Sequence, residues 1–562
     1  MKFSEMPYTR PDLPKLLGEY DQLTAQLRSS SSLKEQIALY KRQEALGQSF
    51  QTMYSICEIR STVDTRDPFY EKEKEFFDES APLVNEKSME FSKAMLASPF
   101  RAELEQQMGS LLFRNMELEV KSFSAEIIPL MQEENKLASQ YQKLYASAQV
   151  DFMGKPRTIA QLAAFKQDPD RAVRKAAYEA EGGFFDQHRE EFDSLFDQLV
   201  KNRTEQARRM GYENFVELGY IRQQRNCYGP AEVAVFRRQV LRDLVPIVRE
   251  IKAVQEQRIG VDALKFYDDV YCFPDGNPMP QGTPDELLAA GKKMYTELSP
   301  ETAEFIKLMF DMDLFDVLAK EGKAPGGYCT SIPDYRCPFI FSNFNGTAGD
   351  VDVLTHEAGH AFAFYLADRL IERAALRCPT MEGAETHSMS MEFLTAPWHH
   401  LFFKEQTDKY ELSHGEDALI FIPYGTQVDH FQELIYANPD MTPQERNDTW
   451  MELDRQYRPY IDYADLPFYG RGAGWQRQLH IYLSPFYYLE YCLAGTAAAE
   501  VWALSMEDWN KAWETYLSFV KLGGTKTFTD LLKAVGLKSP LEEGCLKEIC
   551  VPVQNWLKAH QL

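Results

Sequence analysis

No stretch of the 562 residues approaches about 18 uninterrupted apolar positions, so a membrane-spanning helix is not expected. The opening residues, Met1 to Pro7, contain no apolar core of the signal-peptide kind, and a secretory leader is not expected either. Cysteine is sparse and irregular, nine residues in all. Neither Cys329 with Cys337 nor Cys545 with Cys550 forms a zinc-ribbon or C-x-x-C pattern, and reduced thiols in the cytoplasm are the simplest account. Positive charge is the minority sign: 61 Lys and Arg stand against 85 Asp and Glu, a formal charge of -24. A surface of that sign repels phosphate backbones, so nucleic acid is not an expected partner. Gly326-Gly327 lacks the Lys-Ser/Thr that would follow in a phosphate loop, which removes a nucleotide site. Sequence repeats, low-complexity tracts and heptad runs are absent as well.

What is present is an ordinary globular composition, 44% apolar and 26% charged, long enough for about three to four domain-sized units. Leu13 to about Phe123 reads as successive helices, with Asp67-Pro68 and Ser98-Pro99 as helix openings. Gln149 to Phe152 alternates polar and apolar and is followed by Gly154, which predicts a short hairpin. Thr158 with Gln161 makes a capping box, and Asp168-Pro169 opens a further helical stretch that runs to about Gly260. Phe273 to Pro284 holds four prolines and two glycines and is expected to be loop. A helical pair ending near Gly322 is predicted next, then two short strands between Gly326 and Asn345.

The strongest local pattern is His356-Glu357-Ala358-Gly359-His360, with Asp350 or Asp352 placed to cap its helix. Histidines four apart lie about 40° apart on one helical face, so both imidazoles can meet a single ion at about 2.0–2.1 Å. Glu357 is rotated about 100° from His356, which suits a base acting on water better than a ligand. The alternative is a buried helix with two hydrogen-bonded histidines and an ordinary glutamate, an arrangement that is costly unless both rings find partners. A catalytic zinc also needs a third protein ligand. Glu385 and Glu392, seven apart on a second helical segment, offer one ligand and one residue to fix a ligand from behind, with Glu382 and His387 as spare candidates. Two histidines and a carboxylate suit zinc and also non-haem iron, but a built-in base favours hydrolysis.

On these residues the sequence resembles the thimet oligopeptidase family of metallopeptidases, and within it the oligoendopeptidase F branch with its Pz-peptidase-like members. The family motif is an HExGH helix followed by a glutamate 25 residues after the second histidine, and Glu385 stands 25 residues after His360. Ser388 and Glu392 match the family's E-x-x-S-x-x-x-E pattern. Ser331 to Gly346 resembles the strand segment before the catalytic helix, and Arg203 to Phe215 resembles an upstream helical signature. The resemblance runs from about Asp168 to Leu557. Ala358 departs from the bulkier apolar residue of several relatives.

The resemblance implies a mainly α, two-lobed metallopeptidase with a deep substrate channel and a few short β-strands near the HExxH helix. A helical region over 1–165 and a catalytic region over 166–562 are expected, with the lobes interleaved. It also implies one zinc per chain, held by His356, His360 and Glu385, with Glu357 as general base. His480, Tyr487 and Tyr488 are implied to face the metal and stabilise the oxyanion, the two tyrosines being alternatives, and Tyr491 to border the substrate. The segment Pro338 to Asn345 is expected to pair with a peptide as an added strand, with Phe341 and Asn343 as contacts. Short unstructured peptides are then the substrates, in the cytoplasm, with oligomeric state left open. Two other readings remain: a zinc carboxypeptidase or dipeptidyl carboxypeptidase, and a catalytically silent peptide binder.

Overall fold

The computed structural model describes residues 1–320, 322–324 and 326–562. They are mainly α-helical, as the sequence texture predicts, and the strands are short. β1 (Val150–Phe152) and β2 (Lys155–Arg157) form the predicted hairpin, with Val150 opposite Arg157. Its turn uses left-handed backbone at Met153 (φ 53°) and Gly154 (φ 73°). β3 (Phe315–Leu318), β4 (Tyr328–Ile332) and β5 (Cys337–Phe344) form a second sheet in the order β3-β5-β4. β5 runs parallel to β3 and antiparallel to β4.

β3 corrects the prediction of helix up to Gly322. The Pro300–Asp311 helix stops, Asp313 takes a left-handed φ of 59°, and the alternating Phe315-Asp-Val-Leu stretch enters the sheet with Val317 buried. Other local signals are followed closely. Asp67 caps the Pro68–Leu96 helix through its carboxylate, and the Thr158–Gln161 capping box is formed. The proline-rich stretch ends where Thr283 and Glu286 make a capping box for the Pro284–Leu298 helix.

The residues fall into two compact units, each assembled from three stretches of chain. The first comprises Met1–Lys121, Met279–Thr407 and Glu500–Ser539; the second comprises Ser122–Pro278, Asp408–Ala499 and Pro540–Leu562. In the first unit the N-terminal helices close over Leu23, Leu39, Phe91, Met95 and Phe113. A second core joins Phe305 and Phe362 beside Trp513. The second unit is packed around aromatic rings, among them Phe196, Trp475 and Tyr482, with Tyr141 stacked on Tyr482 at 3.9 Å. Among the described residues no helix is long and apolar enough to cross a membrane.

Candidate metal centre

His356, Glu357 and His360 lie on the histidine helix, Gly349–Leu370, and Glu385, Ser388 and Glu392 on the glutamate helix, Met381–Leu394, both in the first unit. Asp350 does not cap the histidine helix in the expected way. Its carboxylate accepts from the backbone N–H of Asn345 (2.8 Å) and Gly346 (2.7 Å), fastening the loop that leads out of β5. The two helices cross at Gly359. A Cβ there would stand 2.7 Å from Ser388 Cα and 2.8 Å from the His387 carbonyl oxygen, so only glycine permits the approach. Behind them, the Trp509–Leu522 helix supports the pair: Tyr516 donates to the His387 carbonyl at 3.0 Å, and Trp513 stacks on Phe362.

That crossing brings Glu385 against both histidines. Glu385 Oε2 lies 3.2 Å from His356 Nε2 and 3.5 Å from His360 Nε2. Ligands bonded at about 2.0–2.1 Å around a tetrahedral ion stand about 3.3–3.4 Å apart, so this donor set fits zinc. Among the described residues, these three form the one group of His, Cys, Asp or Glu side chains with ligand atoms all within 4.8 Å of one another. His356 Nδ1 donates to Glu392 Oε1 at 2.7 Å, which turns Nε2 towards the centre. The Ser388 hydroxyl donates to Glu385 Oε2 at 3.1 Å. Glu382 and His387 are buried on the glutamate helix but outside this group. His387 packs edge-on against Phe519, and burial pushes its pKa down to about 3.

The charges are coupled. Burial opposes ionisation of Glu385, yet hydrogen bonds from His356 and His360 hold it well below the usual carboxylate range. Burial likewise disfavours the imidazolium of His356, and its bonds to Glu385 and Glu392 outweigh this and raise it well above the ordinary value. Glu357 is raised, first by burial and then by the neighbouring carboxylates, against the pull of both histidines. Gly327, just before β4, lies over this carboxylate: a Cβ there would be 3.9 Å from Glu357 Oε1 and 3.3 Å from Val353 Cγ1. Nothing in the local sequence pattern signals this contact, because it joins a loop to a helix 30 residues later.

The sheet corrects the expectation for 338–345. β5 is the central strand: Cys337 to Phe341 pair with β4, and Ile340 to Phe344 pair with β3. Phe341 is fully buried and stacked on Tyr328 at 4.8 Å, and the Asn343 amide donates to the carbonyls of Ala324 and Gly326. Both side chains are engaged inside the unit, and the outer edge of this sheet on the Gly327 side belongs to β4.

In the second unit, His480 sits on the short Leu479–Leu483 helix and Tyr488 and Tyr491 on the Tyr488–Glu507 helix. The structure brings these rings together. His480 lies 5.8 Å from Tyr487 in near-parallel stacking, 5.0 Å from Tyr488 and 6.1 Å from Tyr491. Gln478 Nε2 is 3.1 Å from His480 Nδ1, and the Tyr424 hydroxyl donates to Gln478 Oε1 at 2.8 Å. Burial pushes the Tyr488 phenol well above its ordinary pKa. Gln478 and Tyr424 escape a motif search because neither belongs to the histidine–tyrosine spacing itself.

Residues 164–275 and 304–550 match the family model described as peptidase family M3, and residues 3–123 match the peptidase M3 N-terminal domain. The chain belongs to peptidase family M3. Over 393 residues this M3 chain is 22% identical to oligopeptidase PepF of Bacillus subtilis (strain 168), covering 68% of this chain and 57% of that relative. The chain thus spans less than two thirds of the length of that curated relative. Among solved structures it is similar to Pz peptidase A with an inhibitor, at 47% identity over 99% of both chains and a TM-score of 0.95. A Bacillus anthracis str. Ames structure described as a candidate oligoendopeptidase F is 43% identical, covering 100% of this chain and 98% of that one, with a TM-score of 0.90. The resemblance drawn from the HExGH helix and Glu385 is therefore borne out at the level of the M3 family and its oligoendopeptidase F branch.

Proposed function

We propose that this chain is a zinc-dependent oligoendopeptidase that hydrolyses internal bonds of short, unstructured peptides. The observation that carries the reading is the meeting of His356 Nε2 and His360 Nε2, on the helix that also bears Glu357, with Glu385 Oε2 of the glutamate helix at 3.2 and 3.5 Å. Two imidazoles and an ionised carboxylate would hold one zinc per chain and leave a fourth position open. Zinc held there supplies Lewis acidity, polarising a carbonyl and easing the ionisation of water near neutral pH. Glu357 takes the proton of the attacking water on a carboxylate oxygen and delivers a proton to the leaving nitrogen. Glu392 keeps the His356 ring oriented, and Ser388 fixes the Glu385 carboxylate.

The missing side chain at Gly327 leaves room against Glu357 for a scissile bond. A peptide aligned along the outer edge of β4 would exchange backbone hydrogen bonds there, which gives affinity without strict sequence reading. By family resemblance, His480 with Tyr487 or Tyr488 hydrogen-bonds the developing oxyanion, and Tyr491 borders the substrate. All nine cysteines are free thiols, which supports a reducing compartment such as the cytoplasm.

The test is an internally quenched peptide of about ten residues, a length suited to strand-like binding, with both ends blocked. Internal cleavage that stops with chelator and returns with zinc is the expected result. Cleavage confined to peptides with a free carboxyl end would replace the reading with a carboxypeptidase, and binding without cleavage would replace it with a silent binder. The Glu357→Gln variant is expected to retain zinc and lose turnover by about 10²–10⁴-fold. Near-normal turnover in that variant would remove Glu357 from the role of base.

A further inference from the structure

The segment Tyr482 to Phe486 connects the helix of His480 to the helix of Tyr488 and Tyr491, and its backbone is held by side chains from distant parts of the same unit. Arg203 Nη2 donates to the Tyr482 carbonyl at 2.5 Å and Gln223 Nε2 to the Pro485 carbonyl at 2.9 Å. Arg225 Nη2 donates to the Phe486 carbonyl at 2.8 Å, and the Phe486 N–H donates to Gln432 Oε1 at 3.0 Å. The residue at the centre of these bonds is in an unusual state. Phe486 has φ 71°, in the left-handed region, where a bulky side chain is an outlier that only an over-determined environment maintains.

The environment is built for it. The Phe486 ring is fully buried, flanked by Phe215, Tyr220 and Tyr436, and it occupies the space over Gly219. A Cβ on Gly219 would stand 2.5 Å from Phe486 Cδ2, so any larger residue would evict the ring. Arg225 fixes the turn to the following helix: its guanidinium pairs with Glu490 at 2.9 and 3.2 Å and lies 4.0 Å over the Tyr220 ring. Glu490 lies between Tyr488 and Tyr491 in sequence, so one arginine holds both the kink and the helix that presents the tyrosines. A glycine at 486 would adopt this φ without strain; a phenylalanine locked there also dictates where the next two side chains point.

We propose that Gly219, Gln223, Arg225 and Gln432 are positioning residues. By imposing the left-handed kink at Phe486, they set the rings of Tyr487 and Tyr488 against His480. The inference rests on the reading of that cluster as the oxyanion side of a peptidase site. It also gives a purpose to the stretch that follows the Arg203–Phe215 signature, whose Gln223 and Arg225 side chains hold the backbone of the turn.

Three variants separate positioning from simple core stability. Gln223→Leu and Gln432→Met each delete one bond to the turn without stranding a charge. Arg225→Met combined with Glu490→Met removes the buried pair together, which avoids leaving one ion uncompensated. The zinc-loaded full chain is assayed with the end-blocked quenched peptide for kcat and KM, alongside bound zinc and thermal unfolding. The expected result is a fall in kcat of at least tenfold in the double variant and about threefold or more in each single one. KM is expected to stay within about twofold and zinc content unchanged, as befits loss of transition-state contacts. A kcat within twofold of the parent in all three would overturn the proposal, and so would a fall that merely tracks lost zinc or lost folded protein. A parent chain that leaves the peptide intact refutes the peptidase reading and this proposal with it, whereas an active parent with unaffected variants refutes the proposal alone.

Discussion

Alanine at Gly359 is a one-methyl change that should loosen the proposed metal site. The added Cβ would sit 2.7 Å from Ser388 Cα, 2.8 Å from the His387 oxygen and 3.1 Å from Met391 Cβ. Two of those three are backbone atoms, which cannot swing aside, so the helices must separate until the closest contact reaches an ordinary 3.4 Å. A shift of about 0.7 Å at Ser388, three residues from Glu385, exceeds the roughly 0.2 Å tolerance of a metal–ligand distance. Overpacking of this kind costs about 1–3 kcal/mol of stability. Zinc affinity is expected to fall by about 10–100-fold, the range seen when support of a ligand is lost. Titration of the metal-free variant and parent with zinc, in competition with a chromophoric chelator, measures this directly. Equal zinc affinity in both proteins, with equal activity, would refute the claim that the helix crossing sets the ligand geometry.

Three further outcomes are expected. Glu392→Gln, which removes the charged partner of His356 Nδ1 at 2.7 Å, should weaken zinc binding by about 10–100-fold while leaving the fold intact, as metal analysis after dialysis would show. Gly327→Ala places a methyl 3.9 Å from Glu357 Oε1, in the space proposed for the scissile bond, and should leave zinc content unchanged while lowering kcat/KM on the order of tenfold, because a substrate held off by a methyl loses its reacting geometry. His430, whose ring nitrogen lies 3.1 Å from the Tyr457 hydroxyl, is pushed down to about 4 by burial and then by Arg237, against the opposing charges of Asp429 and Glu433. The unfolded chain takes up that proton near 6.5 and the folded chain does not, so stability is full above 6.5 and declines as pH falls towards 4. His430→Asn should flatten this decline in thermal unfolding between pH 7 and 4.5; an unchanged slope would assign it to other groups.

The parts of the molecule that follow from spacing along one element are legible in the sequence. The two histidines four apart, Glu385 with Ser388 and Glu392 on one face, the hairpin at 150–157 and the capping boxes all belong to that class. What spacing does not reveal depends on partners far away in the chain. β5 looks like any exposed apolar strand until β3 and β4 pair with its two sides, and β3 itself is a four-residue stretch beside a helix of similar composition. Asp350 reads as a helix cap in the sequence, yet the helix already begins at Gly349, and its carboxylate accepts instead from the backbone N–H groups of Asn345 and Gly346. The left-handed backbone at Phe486 is equally hidden, since glycine or asparagine is the usual signal for it and neither is present.

The three-part construction of each unit constrains how the protein is made. The chain passes between the units five times, so neither unit is a single contiguous stretch. Both histidines and all three glutamates of the candidate metal centre have been translated by Leu394, but the helix that backs them is complete only at Leu522. At roughly 5–20 residues per second, that interval lasts on the order of ten seconds. During it the nascent polypeptide carries a full ligand set on two helices whose apolar backs, Phe362 among them, still lack their cover. Domain-by-domain folding from the N-terminus, the usual route for a protein of this size, is closed to it, because the first unit waits for Glu500–Ser539 and the second for Pro540–Leu562.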